Sequence, residues 1–262
     1  MKRTIKDLFD LNKKVAIVTG GAGEQFGSQI TESLAEAGAT VIITSRNKKK
    51  AYSKARICQQ NNLKVYGYQL DLTSEKKISI FIKKINKKYG RIDILVNNAA
   101  TLKMGSFENI SKKDWDRVIA INMTAPLFLS REVGKIMKKR KSGNIINIST
   151  IYGVVSPDHS IYGKTGLNSP LIYGATKAGL IQMTKYWATY WAPYNIRVNS
   201  ISPGGMFNHQ PSYFLKNYIK KTPLGRMANE NDLKGIISFL ASDASAFVTG
   251  QNYIIDGGLT AI

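Results

Sequence analysis

Short runs rich in Val and Ile alternate along the chain with longer segments whose apolar positions recur every three to four residues. The short runs are Val15–Thr19, Thr40–Thr44, Lys64–Leu70, Ile92–Val96, Asn144–Ser149, Ile196–Ile201 and Asn252–Ile255. Their length and β-branching predict strands. Between them Ser28–Ala37, Ser74–Tyr89, Lys112–Lys139 and Tyr173–Trp191 carry a helical period. Near-continuous apolar runs such as Val15–Val18 and Ile92–Val96 suit a parallel sheet buried on both faces. The alternation predicts right-handed crossovers and an α/β, doubly wound parallel sheet. No repeat or low-complexity linker divides the 262 residues, so 1–262 reads as a single domain.

Composition refines this picture. The apolar share of 43% is that of a globular chain and excludes a disordered one. A single cysteine, Cys58, excludes an internal disulfide and reads as a small apolar filler on a helix. His159 and His209 lie far apart without acidic or cysteine partners at ligand spacing, so no metal is expected. Met1 to Lys14 is interrupted by charges, and no segment approaches the ~20 apolar residues that span a bilayer. A cytoplasmic protein without a membrane partner is therefore expected.

The net charge of +21 raises nucleic-acid binding as a question. The lysines fall in short clusters, among them 48–50, 83–84, 87–88, 112–113 and 220–221, on what read as polar faces or ends of different helices. A solvated lysine-rich surface is the expectation, not a nucleic-acid stripe. Steering of an anionic substrate stays open.

The first strand runs into Thr19-Gly20-Gly21-Ala22-Gly23-Glu24-Gln25-Phe26-Gly27 and then a helix. Strand, glycine turn and helix start are the context of a dinucleotide-binding turn. Gly20, Gly21 and Gly23 let the backbone approach a pyrophosphate, and the helix start beyond Gln25 and Phe26 offers free N–H groups. At the end of the second strand a carboxylate would select NAD. The chain has Ser45-Arg46-Asn47 instead, and Arg46 can pair with a 2′-phosphate. NADP(H) is the expected cofactor; an Arg46 that merely opens a solvated helix is the alternative.

Tyr173 and Lys177 are four residues apart and share a helical face. A phenol titrates near ~10. An ammonium one turn away favours the phenolate, which would tune Tyr173 for proton transfer. With Asn97-Asn98-Ala99-Ala100, Asn122, Ser149-Thr150, Arg197 through Gly205 and Val248 through Gly258, these motifs resemble the short-chain dehydrogenase/reductase family. The resemblance runs from about Lys13 onward and is nearest the branch of oxoacyl-carrier-protein reductases and gluconate 5-dehydrogenases.

That resemblance implies a Rossmann-type fold and the interconversion of a carbonyl and a secondary alcohol on a small molecule. It implies that Tyr173 is the acid/base, that Lys177 binds the nicotinamide ribose and lowers the Tyr173 pKa, and that Asn122 holds a water in a relay to Lys177. It places Asp71 and Leu72 by the adenine and Asn97 and Ala99 by the cofactor. Pro203 and Gly204 would cover the nicotinamide, with Gly205 and Met206 beside the substrate. It further implies a homotetramer. The substrate-orienting hydroxyl falls at Thr150, with Ser149 the competing choice.

Two departures stand out. The glycine turn carries one extra residue, with Glu24-Gln25 where the family has its middle glycine. Tyr173 also follows Thr150 by about ten residues more than the family commonly uses. The excess, 156–170, is bracketed by Pro157 and Pro170. It can contact substrate through Asp158, His159, Tyr162 or Asn168, or pack on a neighbouring subunit. Similar insertions in relatives that act in sugar and surface-glycan metabolism point to a hydroxyl-rich substrate, a sugar or sugar-acid derivative. Residues 204–225 read as a substrate lid. Pro126 predicts a kink after Asn122. Tyr186, Trp187, Tyr190 and Trp191 read as a core or interface stripe. The competing functional classes are a non-catalytic nicotinamide-binding interaction protein and a nucleic-acid-binding protein.

Overall fold

In the computed structural model, which describes residues 2–165 and 168–262, seven strands form one parallel sheet. They are β1 (Val15–Thr19), β2 (Thr40–Ser45), β3 (Val65–Gln69), β4 (Ile94–Asn97), β5 (Gly143–Ile148), β6 (Ile196–Pro203) and β7 (Asn252–Ile255). Their order is β3-β2-β1-β4-β5-β6-β7, and every neighbouring pair is parallel. The helices are α1 (Ile5–Phe9), α2 (Phe26–Glu36), α3 (Lys48–Gln60), α4 (Glu75–Tyr89), α5 (Lys112–Ile119), α6 (Ala125–Arg140), α7 (Leu171–Trp191), α8 (Ser212–Lys221) and α9 (Lys234–Ala241). The chain winds outward from β1 to β3 and returns to β4 beside β1. This reversal opens a crevice at the carboxyl ends of the strands.

The apolar strands are buried on both sides because successive side chains face opposite layers. Ala16, Val18, Val41 and Ile43 join a core with Ile30 and Leu34 of α2 and Ile237 and Leu240 of α9. Val15, Ile17 and Ile42 join the opposite core with Ile78 and Ile82 of α4, Leu129 and Val133 of α6 and Leu180 of α7. Cys58 is buried in the first of these cores, the filler its sequence context predicts.

Several elements add to or refine the sequence expectation. Helix α3 adds to it: Ala51, Ala55 and Cys58 form a narrow buried face that its lysine-rich composition obscures. The segment predicted as one helix over Lys112–Lys139 is two, joined by a wide π-type turn at Ala120–Thr124, where the Ala125 N–H bonds back to the Ala120 carbonyl. Pro126 lies in the first turn of α6 and has no N–H to offer the Asn122 carbonyl, so the widening precedes the proline. The aromatic stripe of α7 divides: Trp187 and Trp191 stack at 6.0 Å inside the core, whereas Tyr186 and Tyr190 stack at 5.8 Å on the exposed side.

Folding also redistributes charge. Residues 46–91 hold fourteen of the basic residues and only two acidic ones, and they build α3, β3 and α4 around one edge of the sheet. The clusters 112–113 and 220–221 lie on α5 and α8, but three others, 48–50, 83–84 and 87–88, therefore gather at an edge strand. A rim of lysines there opposes pairing with another sheet edge.

The base of the sheet is closed by Asp93. Its carboxylate accepts from the Val15 N–H at 2.9 Å and from Arg91 at 2.6 and 2.7 Å, and Arg140 approaches to 3.3 Å. Burial pushes this carboxyl up, but Arg91, the Val15 N–H and Arg140 together hold it below its ordinary value. Its stabilising contribution is therefore present above the ordinary carboxylate range and disappears as pH falls through the depressed pKa. Asp93→Ala leaves a buried N–H and a guanidinium without their acceptor. We expect a loss of about 3 kcal/mol in urea unfolding near neutral pH, with the difference from wild type shrinking in strong acid.

Candidate active site

The crevice is a cleft of about 820 Å³ lined from β1 to β6 by the residues that follow the strands. At one end the chain leaves β1 through the glycine turn. Gly20 has φ +65°, and its carbonyl accepts from the Gly23 N–H at 3.0 Å. A Cβ on Gly27 would lie 2.3 Å from the Gly20 carbonyl oxygen, so Gly27 is the position where helix and turn must touch. Gly21 instead faces inward against Ile43 and Thr31. Helix α2 starts at this turn with Gln25 in the cap position and no side-chain cap bond. Uncapped N–H groups at a helix start bordering a cleft favour an anionic group, and Gly20, Gly23, Gln25, Phe26 and Gly27 all line it. The carboxylate of Glu24 is exposed at the same rim. The turn and the cleft thus suit a dinucleotide.

Next to the turn, Ser45 lines the cleft. Arg46 is exposed and makes no ion pair among the described residues. The Asn47 side chain accepts from the Lys50 N–H and so caps α3. Lys50 lines the cleft beside Ser45, a cation the sequence reading passed over because it lies among a run of lysines. Asp71 and Leu72 lie off the cleft; the Asp71 carboxylate is held by Thr73 at 2.7 Å and Lys77 at 3.3 Å. Asn97 is buried beneath the floor, donating to Asn147 at 2.8 Å and Ser130 at 3.1 Å. Ala99 lines the cleft, and its N–H donates to Thr19.

At the other end, Thr150, Tyr173 and Lys177 converge on the cleft from the end of β5 and the first turns of α7. The Lys177 ammonium donates to the Ile148 carbonyl at 2.6 Å and lies 5.7 Å from the Tyr173 ring centre. The Ser149 hydroxyl donates to the Lys177 carbonyl at 3.0 Å. Ser149 is thereby spent on fastening β5 to α7, while the hydroxyl of Thr150, a residue 8% exposed, makes no such bond among the described residues. Asn122 is fully buried in the π-type turn. Its side chain accepts from the Thr101 N–H and donates to the Thr101 carbonyl, both at 2.9 Å, and also to Thr176 at 3.1 Å.

The titration of the pair departs from expectation. Burial pushes the Tyr173 phenol up to about 12 and the Lys177 ammonium down to about 8. The spacing argument predicts a lowered Tyr173. The structure reverses the sign because desolvation of the phenolate outweighs an ammonium drawn away to the Ile148 carbonyl.

Pro203, Gly204, Gly205 and Met206 continue β6 across the mouth. The Gly205 N–H donates to the Tyr218 hydroxyl at 2.6 Å, and Gly205 and Met206 are tied to Ala228. Helix α8, in the predicted lid, packs Phe214 and Tyr218 downward on Ile161 and Tyr162 of the insertion and on Met227. The predicted insertion 156–170 thus meets the predicted lid in one apolar cluster, and Asp158 pairs with Lys221. Gly166 and Leu167 of that insertion lie outside the described residues. Of the insertion residues named from the sequence, Tyr162 and Asn168 line the cleft and Asp158 and His159 do not. Tyr152 and Tyr218 are cleft residues without a local sequence signature, and only their packing identifies them.

Comparison with known proteins agrees with this arrangement. Residues 21–260 match the family model described as enoyl-(acyl carrier protein) reductase. The chain is 37% identical to the 3-oxoacyl-[acyl-carrier-protein] reductase FabG of Thermotoga maritima, over 95% of this chain and 98% of that protein. The crystal structure of a gluconate 5-dehydrogenase from Burkholderia cenocepacia with NADP and tartrate superposes with a TM-score of 0.90 at 29% identity, covering 99% of this chain and 100% of the other. A short-chain dehydrogenase from Leptospira borgpetersenii with bound NAD+ is 38% identical, with a TM-score of 0.88, covering 99% of this chain and 97% of the other.

The buried Lys177 has a measurable consequence. Its folded pKa of about 8 lies below the ordinary 10.5. It therefore costs stability while protonated, and this cost is relieved as pH rises from about 8 toward 10.5. Urea unfolding of wild type and Lys177→Met at about pH 7 and about pH 9.5 should show the variant gaining on wild type at the lower pH and losing that advantage at the higher.

Proposed function

The chain belongs to the short-chain dehydrogenase/reductase family, and on that premise we propose that it is an oxidoreductase using a nicotinamide dinucleotide, NADP(H) by preference, to interconvert a carbonyl and a secondary alcohol. The observation that carries this reading is the meeting of Tyr173, Lys177 and Thr150 in one cleft with the uncapped start of α2. The nicotinamide supplies or accepts the hydride. Tyr173 acts as acid in reduction and base in oxidation, passing its phenolic proton to the substrate oxygen. With its pKa raised by burial, Tyr173 stays protonated at neutral pH and is ready as the acid. Thr150 donates a hydrogen bond to the same oxygen and orients it.

Lys177 bonds the nicotinamide ribose and adds positive charge beside the phenol when a proton is needed there. Asn122 holds Thr101 and Thr176 with its side chain, while its carbonyl, which Pro126 cannot serve, accepts a relay water. Gly20, Gly23, Gln25 and Phe26 hold the pyrophosphate and Asn97 and Ala99 support the ring end; Asp71 and Leu72, which the family resemblance places by the adenine, lie beyond the cleft lining. Pro203 and Gly204 cover the nicotinamide, and Gly205 and Met206 border the substrate. Ser45, Arg46 and Lys50 favour a 2′-phosphate, because no carboxylate stands there to bind both ribose hydroxyls. The substrate is a small sugar or sugar-acid derivative, and the working form is a cytoplasmic homotetramer.

Two variants test the reading. Titration followed by nicotinamide fluorescence should show NADPH binding more tightly than NADH, and Arg46→Ala should weaken NADPH alone by about 10- to 100-fold. Equal affinities in the wild type would remove the NADP(H) preference. Tyr173→Phe should cut kcat by about 100-fold or more while NADPH still binds; retained turnover would remove Tyr173 from the chemistry.

A further inference from the structure

The substrate end of the cleft differs in chemistry from the cofactor end. Among the described residues that line the cleft, the charged side chains are Glu24 and Lys50, by the glycine turn and Ser45, and Lys177 at the reacting centre. The remainder of the described wall is neutral. Tyr152, Tyr162, Asn168, Ser169, Asn208, Gln210 and Tyr218 are among its polar residues. Lys221 pairs with Asp158, and Arg226, beyond α8, with both oxygens of Asp232 at 2.6 and 2.8 Å. No lysine or arginine of the insertion or α8 is among the described residues that line the cleft; Lys164, Lys216 and Lys220 stay outside the lining.

The hydroxyls there are organised. Tyr162 donates to the Tyr152 oxygen at 3.0 Å. The Tyr152 proton is therefore the one left to donate into the cleft. Burial raises the pKa of both phenols, so they remain neutral donors. Tyr162 is fixed in turn by its ring, which lies 5.2 Å from Phe214 of α8. A carboxylate entering this wall would lose its hydration without meeting a cation, which is costly in a partly dry cleft. A neutral hydroxyl loses less and regains a bond to Tyr152.

From this arrangement we propose that the substrate is an uncharged polyhydroxylated carbonyl compound, a ketose-like sugar reduced to its polyol, and not a sugar acid. Tyr152 reads a hydroxyl next to the reacting carbon, and Tyr162, delivered by the insertion, orients Tyr152. This rests on the oxidoreductase reading above and narrows its substrate class.

Initial rates of NADPH oxidation by the full chain test it with three carbonyls: a neutral ketohexose, a keto sugar acid of the same length, and cyclohexanone, which has no hydroxyl. The ketohexose should exceed the keto acid in kcat/KM by at least about tenfold. Tyr152→Phe should raise the ketohexose KM about five- to tenfold, with a clearly smaller effect on cyclohexanone. Tyr162→Phe should act in the same direction, because it leaves Tyr152 unoriented. Preference for the keto acid, or an equal Tyr152→Phe effect on both neutral ketones, overturns the proposal while the oxidoreductase reading stands. Reduction of none of the three by protein that binds NADPH removes that reading, and the proposal with it.

Discussion

The catalytic end of the molecule depends on how helix α7 is fastened to the carboxyl end of β5. Three buried bonds make the seam: Lys177 to the Ile148 carbonyl, Ser149 to the Lys177 carbonyl, and Asn147 to Thr184. Each satisfies a polar group that would otherwise be stranded between sheet and helix. Because the strand ends where the helix begins to pack, Thr150 and Tyr173 emerge on the same side of the seam. The Asn122 turn extends the fastening by gripping Thr101 after β4 and Thr176 in α7. The geometry proposed for proton transfer is thus set by the interior and not by the loops around it.

The remaining parts divide according to what they must tolerate. The glycine turn has no room for side chains where helix and strand touch, as Gly27 shows. The mouth of the cleft, by contrast, is roofed by two segments that pack on each other, the insertion and α8. Ile161, Tyr162, Phe214, Tyr218 and Met227 give this roof a small apolar core of its own. Chemistry and selectivity can therefore vary separately, since changes in the roof leave the β5–α7 seam intact.

Electrostatics follows the same division. The greater part of the net charge lies on the α3–β3–α4 edge, whereas the charged side chains among the described lining residues of the cleft are Glu24, Lys50 and Lys177. Opposite pKa shifts at Tyr173 and Lys177 arise from burial.

Local signals in the sequence were enough for the strands, the glycine turn, the absent acid after β2 and the Tyr173–Lys177 spacing, because each is written in a few consecutive residues. The pattern located all seven strands to within a few residues; β1, β2 and β4 are buried runs with almost no polar positions, and the others were marked by short β-branched or aromatic runs. What lies between distant segments was not legible. Ser149 and Thr150 carry the same hydroxyl in sequence, and only the proximity of Ser149 to the Lys177 carbonyl distinguishes them. Pro126 marked a break near Asn122, but not that the helix widens before the proline. The four aromatics of α7 share one composition, and the core alone separates Trp187 and Trp191 from Tyr186 and Tyr190. Tyr162 could be named as a candidate from its place in the insertion, but not that Tyr152 and Tyr218, up to 66 residues apart, join it in one wall. Periodicity records which face of an element is buried; only the packed chain decides which groups meet there, because hydrogen bonding and desolvation depend on neighbours that sequence order does not supply.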